Sequence, residues 1–139
     1  MDRKVKIIHA DDHELVRRSL KSLIEQKAPH IEIVGQVGSY WELFNELSKT
    51  KFDLLVLDGE IKGVTASDYL PKIKALYPNL KIILFWVFAE VGSLTTWIHL
   101  LDGHLNLSTA SDEIVYAIDT VMRGERYFTI PVFANHGDS

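Results

Sequence analysis

The sequence predicts a doubly wound α/β domain in which a five-stranded parallel sheet lies between two layers of helices. Short apolar runs alternate with longer amphipathic segments along the chain, which is the order of elements expected when helical crossovers join parallel strands. The central run, LLVL, is apolar at every position, as is typical of a strand buried on both faces. The chain has 139 residues, of which 47% are hydrophobic, and this suffices for the core of one such domain.

Local signals place the ends of several elements. Ser39 and Ser111 are predicted to cap the N-termini of two helices, Gly103 to follow the C-terminus of a third, and Pro71 to disturb the first half of a fourth. Because crossovers are right-handed, the flavodoxin-like strand order 2-1-3-4-5 is favoured. The predicted strands are Val5–Ala10, Ile31–Val37, 54–57, Lys81–Phe85 and 104–107, and the last three predicted helices are 65–76, 89–101 and 112–123.

Composition narrows the class of protein and its surroundings. The net charge of -4 argues against non-specific nucleic-acid binding, and the absence of cysteine excludes disulfides and thiolate metal sites. The apolar run near the N-terminus is too short for a signal peptide or a membrane span. We therefore expect a cytoplasmic protein that contacts neither membrane nor nucleic acid through this domain. Residues 1–128 are expected to form the domain, and 129–139 a C-terminal tail or the start of a linker.

Three carboxylates follow two strands that are predicted to be neighbours. Asp11 and Asp12 end the first strand, and Asp58 ends the third. One aspartate at a strand end is usually a turn or cap residue, but three at the carboxyl ends of adjacent strands favour a functional crevice. Carboxylates that repel one another hold protons or recruit a cation, and oxygen ligands favour Mg²⁺ or Mn²⁺. His13 lies beside them as a metal ligand or, more often for this position, a solvated residue.

The segments around these carboxylates resemble the receiver domains of bacterial two-component response regulators, of the kind that precede helix-turn-helix output domains. The resemblance covers about residues 4–128. It implies a function in phosphorelay signal transduction and transcription regulation, with a histidine kinase or phosphotransfer protein as partner. The matching segments are KIIHADDHELVRRSL, FDLLVLDGEIKG, KIILFWV, GHLNLSTASDEIVYAI and GERYF.

This resemblance also assigns roles to the acidic residues. It implies that Asp58 is the phosphoacceptor, so that the protein is a phosphoprotein rather than an enzyme, with at most self-phosphorylation and dephosphorylation at Asp58. Asp11 and Asp12 would hold magnesium, with the backbone carbonyl of Glu60 as a further ligand. The metal stabilises the charge that develops during phosphoryl transfer.

The sequence departs from the receiver pattern at the positions that respond to phosphorylation. Trp86 stands where receivers carry a serine or threonine, and Leu107 where they carry a lysine; no lysine follows Lys81 anywhere in the chain. His104 replaces the aromatic residue that rotates in the switch. Lys62 replaces a proline, and its ammonium is a candidate for the missing positive charge. We therefore expect an atypical receiver with weak metal binding and impaired switching.

An aromatic group suggests a contact surface. Trp86, Phe88 and Trp97 lie within or beside the predicted helix 89–101. The resemblance implies that this helix forms a contact face together with strand 104–107 and helix 112–123. Aromatic residues are enriched at interface hot spots, so this face is a candidate for homodimerisation or partner docking. Packing of the same residues in the core explains the pattern equally well.

An enzyme of another class is the alternative. Magnesium-dependent phosphatases and phosphotransferases with an aspartyl nucleophile carry an acid two residues after that aspartate, as Asp58 and Glu60 do. Haloacid-dehalogenase-like phosphatases place this motif on their first strand and require a lysine further along the chain. Asp58 follows the third predicted strand and the lysine is absent, so signalling is favoured.

Overall fold

In the computed structural model, the main sheet consists of six parallel strands in the spatial order β2-β1-β3-β6-β7-β8. The structure describes residues 3–85, 97–106 and 110–129, with only the backbone of 110–112. A short antiparallel hairpin, β4-β5, follows β3. The strands are β1 Val5–Ala10, β2 Ile31–Val37, β3 Leu54–Asp58, β4 Glu60–Ile61, β5 Val64–Thr65, β6 Lys81–Phe85, β7 Gly103–Leu105 and β8 Tyr127–Phe128.

Helices cover both faces of this sheet. None of the described helices is long and apolar enough to cross a membrane. The α-helices are α1 Glu14–Lys27, α2 Tyr40–Lys49, α3 Leu70–Leu76 and α4 Ala110–Met122, and the 3-10 turns are Ala66–Asp68 and Ile98–Leu100. The predicted fold class is confirmed, because β1, β2, β3, β6 and β7 have the predicted order. Most of the predicted helix 89–101 lies outside the described residues.

The sheet has one strand more than the five that were predicted. Residues Tyr127–Phe128 form the parallel edge strand β8 beside β7. The other strands were predicted from apolar runs, and a strand of two residues is too short to show such a run. The predicted role of Gly103 was wrong, since this glycine begins β7 instead of ending a helix. A Cβ atom on Gly103 would lie 2.9 Å from the carbonyl oxygen of Tyr127, so the close approach of β8 requires glycine here.

The core has two halves, one on each face of the sheet, because side chains alternate along every strand. One half packs β1, β3 and β6 against α2 and α3, and the other packs the opposite faces of these strands against α1 and α4. Fully buried members of the first half include Ile8, Leu55, Leu57 and Ile82, and those of the second include Ile7, Leu54, Val56 and Ile83.

Local chemistry explains how two helices begin. The Ser39 hydroxyl accepts a hydrogen bond from the Glu42 amide at 3.1 Å, which confirms the predicted N-cap of α2. The Glu42 carboxylate in turn accepts one from the Gly38 amide at 2.8 Å. Pro71 lies in the first turn of α3, where its missing N–H has no helical partner to lose. The predicted helix 65–76 therefore divides into a 3-10 turn and α3.

Candidate functional site

The strand register brings the three predicted carboxylates together. Ala10 pairs with Leu57 across β1 and β3, so Asp11 and Asp58 leave the sheet side by side. Asp11 is only 1% exposed, and its backbone carbonyl accepts a hydrogen bond of 2.6 Å from the Arg17 guanidinium of α1. The side chains of Asp11, Asp12, His13 and Asp58 offer one ligand atom each within a span of 4.8 Å.

His13 lies closer to this cluster than its place in the sequence suggests. Its side chain is 65% exposed, yet Nδ1 is 3.0 Å from an oxygen of Asp11, 3.1 Å from one of Asp12 and 3.9 Å from one of Asp58. The backbone amide of His13 also donates to Asp11 Oδ1 at 2.8 Å. This turn, in which an aspartate accepts from the amide two residues on, directs the imidazole to the acids. His13 was predicted to be a metal ligand or a solvated residue, and the turn decides the direction of its imidazole.

The β4-β5 hairpin closes the other side of the crevice. The amide of Glu60 donates to Asp58 Oδ1 at 3.4 Å, and the amide of Lys62 donates to Asp12 Oδ2 at 2.8 Å. Lys62 and Gly63 form the turn of the hairpin with φ of 53° and 78°. A proline at position 62 could neither donate this bond nor adopt this φ. Among the described residues no carboxylate lies within ion-pair distance of the Lys62 ammonium, so its contact with the site is through the backbone.

Burial and like charges weaken the acidity of Asp58. Burial of its carboxyl, followed by the charge of Asp11 and to a lesser extent that of Asp12, raises the pKa of Asp58 to about 7, against the opposing effects of the Glu60 amide and His13. The hydrogen bond to Asp11 raises the pKa of His13 in the same cluster. The site therefore concentrates negative charge that a cation would relieve.

The chemistry of these atoms fits a hard divalent cation. Asp12 Oδ1 is buried and accepts no hydrogen bond from any residue in the described part of the chain; its neighbour is His13 Nδ1 at 3.1 Å. A buried carboxylate oxygen without a donor is unfavourable, and coordination of a metal would satisfy it. Oxygen donors from several carboxylates are the ligands that Mg²⁺ and Mn²⁺ prefer.

Tyr40 and Tyr69 form an aromatic wall that the sequence analysis did not identify. Their rings stack with centroids 4.1 Å apart, and Phe44 packs against Tyr69. The Tyr40 hydroxyl is buried without a hydrogen-bond partner among the residues that the structure describes. Burial, and then the charge of Asp58, raises the pKa of Tyr40. No sequence motif marks a tyrosine at the first position of α2 as buried beside a site. The position of Tyr40 is therefore seen only in the folded structure.

The predicted switch positions and the predicted aromatic group are only partly described. Trp86, Phe88 and Leu107 lie outside the described residues. His104 is fully buried in β7, and its carbonyl accepts hydrogen bonds from both the amide and the hydroxyl of Thr129. Trp97 is half-buried and packs against the core on the α2 and α3 side, which supports the packing interpretation for this member of the aromatic group.

The comparisons with known proteins decide the family. The model of the response regulator receiver domain matches residues 7–101. The chain belongs to this family. The nitrate/nitrite response regulator protein homolog of Haemophilus influenzae is 30% identical over 126 residues, which are 90% of this chain and 60% of that protein. The response regulator protein VraR of Staphylococcus aureus is 26% identical over 125 residues, or 89% and 59% of the two chains.

Solved structures agree on the fold. The non-phosphorylated receiver domain of the stress response regulator RcsB from Escherichia coli superposes with a TM-score of 0.84 at 22% identity, covering 92% of this chain and 100% of that one. The apo receiver domain of RcsB from Salmonella enterica serovar Typhimurium gives 0.86 at 20% identity, covering 98% and 100%. This receiver domain, which serves two-component signalling, spans about three-fifths of the length of the curated relatives. The comparisons give the phosphatase alternative no support.

Proposed function

We propose that Asp58 is the phosphoacceptor of this receiver domain and that a histidine kinase or phosphotransfer protein is the donor. One observation carries the proposal: Asp58 ends β3 inside the acidic crevice, with its carboxyl crowded by Asp11 and Asp12. This is the only described cluster of three or more acidic or histidine side chains with metal-ligand spacing. Its position at the carboxyl ends of β1 and β3 is where ligands bind in open parallel sheets.

The chain's own residues support in-line transfer of a phosphoryl group. An ionised oxygen of Asp58 forms the bond to phosphorus while the donor's histidine nitrogen leaves with the electron pair of the broken bond. The Glu60 amide beside Oδ1 orients the carboxylate. A bound Mg²⁺ or Mn²⁺ supplies neutralisation of the charge that develops on the phosphoryl oxygens. Asp11, Asp12 and the Glu60 carbonyl are the groups proposed to hold it, together with Asp58.

We infer that phosphorylation is weakly coupled to a conformational change. The residues usually needed for coupling are replaced by Trp86 and Leu107, neither of which offers a hydroxyl or an ammonium group. Full burial of His104 opposes the rotation that a switch aromatic makes. Lys62 contributes an amide to Asp12, and its exposed ammonium remains available as a compensating charge.

The fold also supports proposals for the boundaries of the domain and for its contact face. Strand β8 belongs to the sheet, which supports a domain that extends to residue 128, with 129–139 as a tail or linker. The face predicted from helix 89–101, strand 104–107 and helix 112–123 is proposed for homodimerisation or partner docking. Tyr116 of α4 supports it, since this side chain is 60% exposed. Sedimentation of the wild type and Tyr116→Ser at matched concentrations tests the face.

Mass spectrometry after incubation with a small acyl phosphate and Mg²⁺ tests the phosphoacceptor. The wild type is expected to gain the mass of one phosphoryl group and Asp58→Asn to gain none. Asp53→Asn is the matched control, because Asp53 lies at the opposite end of β3, and it should be labelled like the wild type. If neither an acyl phosphate nor a phosphorylated phosphotransfer protein labels the wild type, the proposal fails. Turnover of a simple phosphomonoester would instead favour the enzymatic alternative.

A further inference from the structure

The imidazole of His13 occupies a place in the acidic crevice that helix capping does not explain. His13 is the N-cap residue of α1, yet its side chain makes no capping hydrogen bond to the helix. Its Nδ1 instead faces carboxylate oxygens of Asp11, Asp12 and Asp58. These three residues lie at the ends of two different strands. A nitrogen donor is thereby added to three oxygen donors within one span of 4.8 Å.

The spacing of these atoms suits one metal ion. In a six-coordinate ion with metal–ligand distances of about 2.1 Å, adjacent ligand atoms lie roughly 3 Å apart. The distances of 3.0 and 3.1 Å from Nδ1 to the oxygens of Asp11 and Asp12 agree with that separation, whereas the Asp58 oxygen is further away, at 3.9 Å. Nδ1 shares a hydrogen bond with Asp11 at the first of these distances, and coordination of a metal would replace that bond. The exposed outer part of the ring leaves His13 free to make small adjustments, since 65% of its side chain is open to solvent.

We propose that His13 is a further ligand of the receiver's metal and that it shifts the preference of the pocket from Mg²⁺ towards first-row transition metals. This inference rests on the proposed metal site at Asp58. Mg²⁺ binds oxygen donors and keeps its water, whereas imidazole is a good ligand for Ni²⁺, Zn²⁺ and Fe²⁺. An all-oxygen pocket also follows the general affinity order of these metals, so the informative quantity is the change on removal of the imidazole.

Two measurements on the whole chain test the ligand. Calorimetric titration with Ni²⁺ and with Mg²⁺ is expected to show that His13→Gln weakens Ni²⁺ binding by about tenfold or more and leaves Mg²⁺ binding within about twofold. Pulsed electron paramagnetic resonance of the Mn²⁺-loaded wild type is expected to show ¹⁴N coupling that is lost in His13→Gln. His99→Gln is the matched control, because His99 is exposed on the 3-10 turn Ile98–Leu100 and should retain both properties.

The Asp58→Asn variant separates the two hypotheses. If Asp58→Asn abolishes binding, but the wild type lacks ¹⁴N coupling and His13→Gln leaves the ratio of Ni²⁺ to Mg²⁺ affinity unchanged, the role of His13 is wrong and the metal site stands. If the wild type binds no divalent metal in a manner that depends on Asp58, both are wrong. If ¹⁴N coupling to Mn²⁺ persists in Asp58→Asn, the nitrogen ligand belongs to another metal site, and the inference is overturned.

Discussion

Asp53 and Asp58 lie at opposite ends of the same strand, and their surroundings have opposite charge. Asp53 precedes β3 and accepts two hydrogen bonds from the Arg3 guanidinium and one of 2.8 Å from the Lys6 amide. These donors hold its pKa below the ordinary value although burial opposes them. Asp58 ends β3 beside two further aspartates, and its pKa is raised to about 7.

The difference separates a carboxylate that stabilises the fold, Asp53, from one that lowers its stability, the proposed phosphoacceptor Asp58. A carboxyl group whose pKa is lowered by folding stabilises the folded state when it is ionised, and one whose pKa is raised destabilises it. Asp53 therefore contributes to stability at neutral pH, whereas the ionised form of Asp58 opposes folding. A protein tolerates such a group where a cation or a phosphoryl reaction later makes use of the charge.

The largest expected effect is a gain of stability on removing the charge of Asp58. Asp58→Asn should raise the free energy of unfolding at pH 8, without divalent metal, by about 2–4 kcal/mol; the upper value corresponds to the full pKa shift at about 1.4 kcal/mol per unit. In the wild type, the raised pKa means that this destabilisation is absent below about pH 4 and complete above about pH 7. Urea denaturation at several pH values measures it.

The pH profile provides the control for this prediction. The difference between the wild type and Asp58→Asn should shrink as the pH falls from about 7 towards 4, since the wild-type carboxyl then binds its proton. Equal stability of the two proteins at pH 8 would show that the crowding of Asp58 does not affect the fold.

The second expected effect is stabilisation by metal, which should reduce the contrast between the two ends of β3. Mg²⁺ at a hundredfold excess over its dissociation constant should stabilise the wild type by about 2.7 kcal/mol, because it binds only the folded site. Asp12→Asn and Asp58→Asn should lose most of this gain, whereas Asp53→Asn should keep it. Thermal unfolding with and without Mg²⁺ measures the effect, and an equal response of all four proteins would contradict the site.

A smaller effect on stability is expected at the end of β3 where Asp53 pairs with Arg3. Asp53→Asn should destabilise the protein by about 1 kcal/mol at pH 7, because the Lys6 amide loses a charged acceptor in a partly buried place. Because the pKa of Asp53 is lowered, its contribution is present above the unfolded value of about 4 and is lost as the pH falls below it. Denaturation at pH 7 and pH 3 checks the sign; a loss that is equal at both would attribute the effect to packing.

The fold was predictable because its signals are local and periodic. Apolar runs such as Val5–Ala10 and Lys81–Phe85 are strands in the structure within the predicted bounds. The two-residue strands of the hairpin and β8 were missed, since their pairing is decided by neighbours distant in sequence. Gly103 was misassigned for the same reason: its constraint is a carbonyl on β8, and sequence alone offers a helix end as the ordinary explanation.

The candidate site divides in a similar way. The proximity of Asp11, Asp12 and Asp58 follows from strand order and could be predicted. The direction of the His13 imidazole and the burial of the Tyr40 hydroxyl depend on a turn and on packing that no spacing rule reports. Lys62 was considered for its ammonium, yet the contact that the structure contains is made by its amide.

The smallest expected effect is the response of the distant end of the domain to a phosphoryl mimic. In an ordinary receiver a hydroxyl and an ammonium each bond the phosphoryl group, and charge-assisted bonds of this kind contribute roughly 1.5–3 kcal/mol each. Conversion of a mostly inactive population to a mostly active one requires about 5.5 kcal/mol of differential binding. If Trp86 and Leu107 occupy these positions, as proposed, most of that free energy is missing. Amide exchange of β7 and α4 should therefore change little when beryllofluoride and Mg²⁺ are added.

A variant that restores the missing hydroxyl and ammonium groups tests whether their absence explains the weak response. The double variant Trp86→Thr, Leu107→Lys supplies the hydroxyl and the ammonium, and it should gain slower exchange in β7 and α4 on addition of the mimic. Fluorine NMR spectroscopy checks that beryllofluoride is bound at Asp58 in both proteins. A protein that does not bind the mimic is then not mistaken for one that binds it without a conformational change. Broad protection in the wild type, equal to that of the double variant, would mean that the His104 region responds without these groups and that weak coupling is wrong.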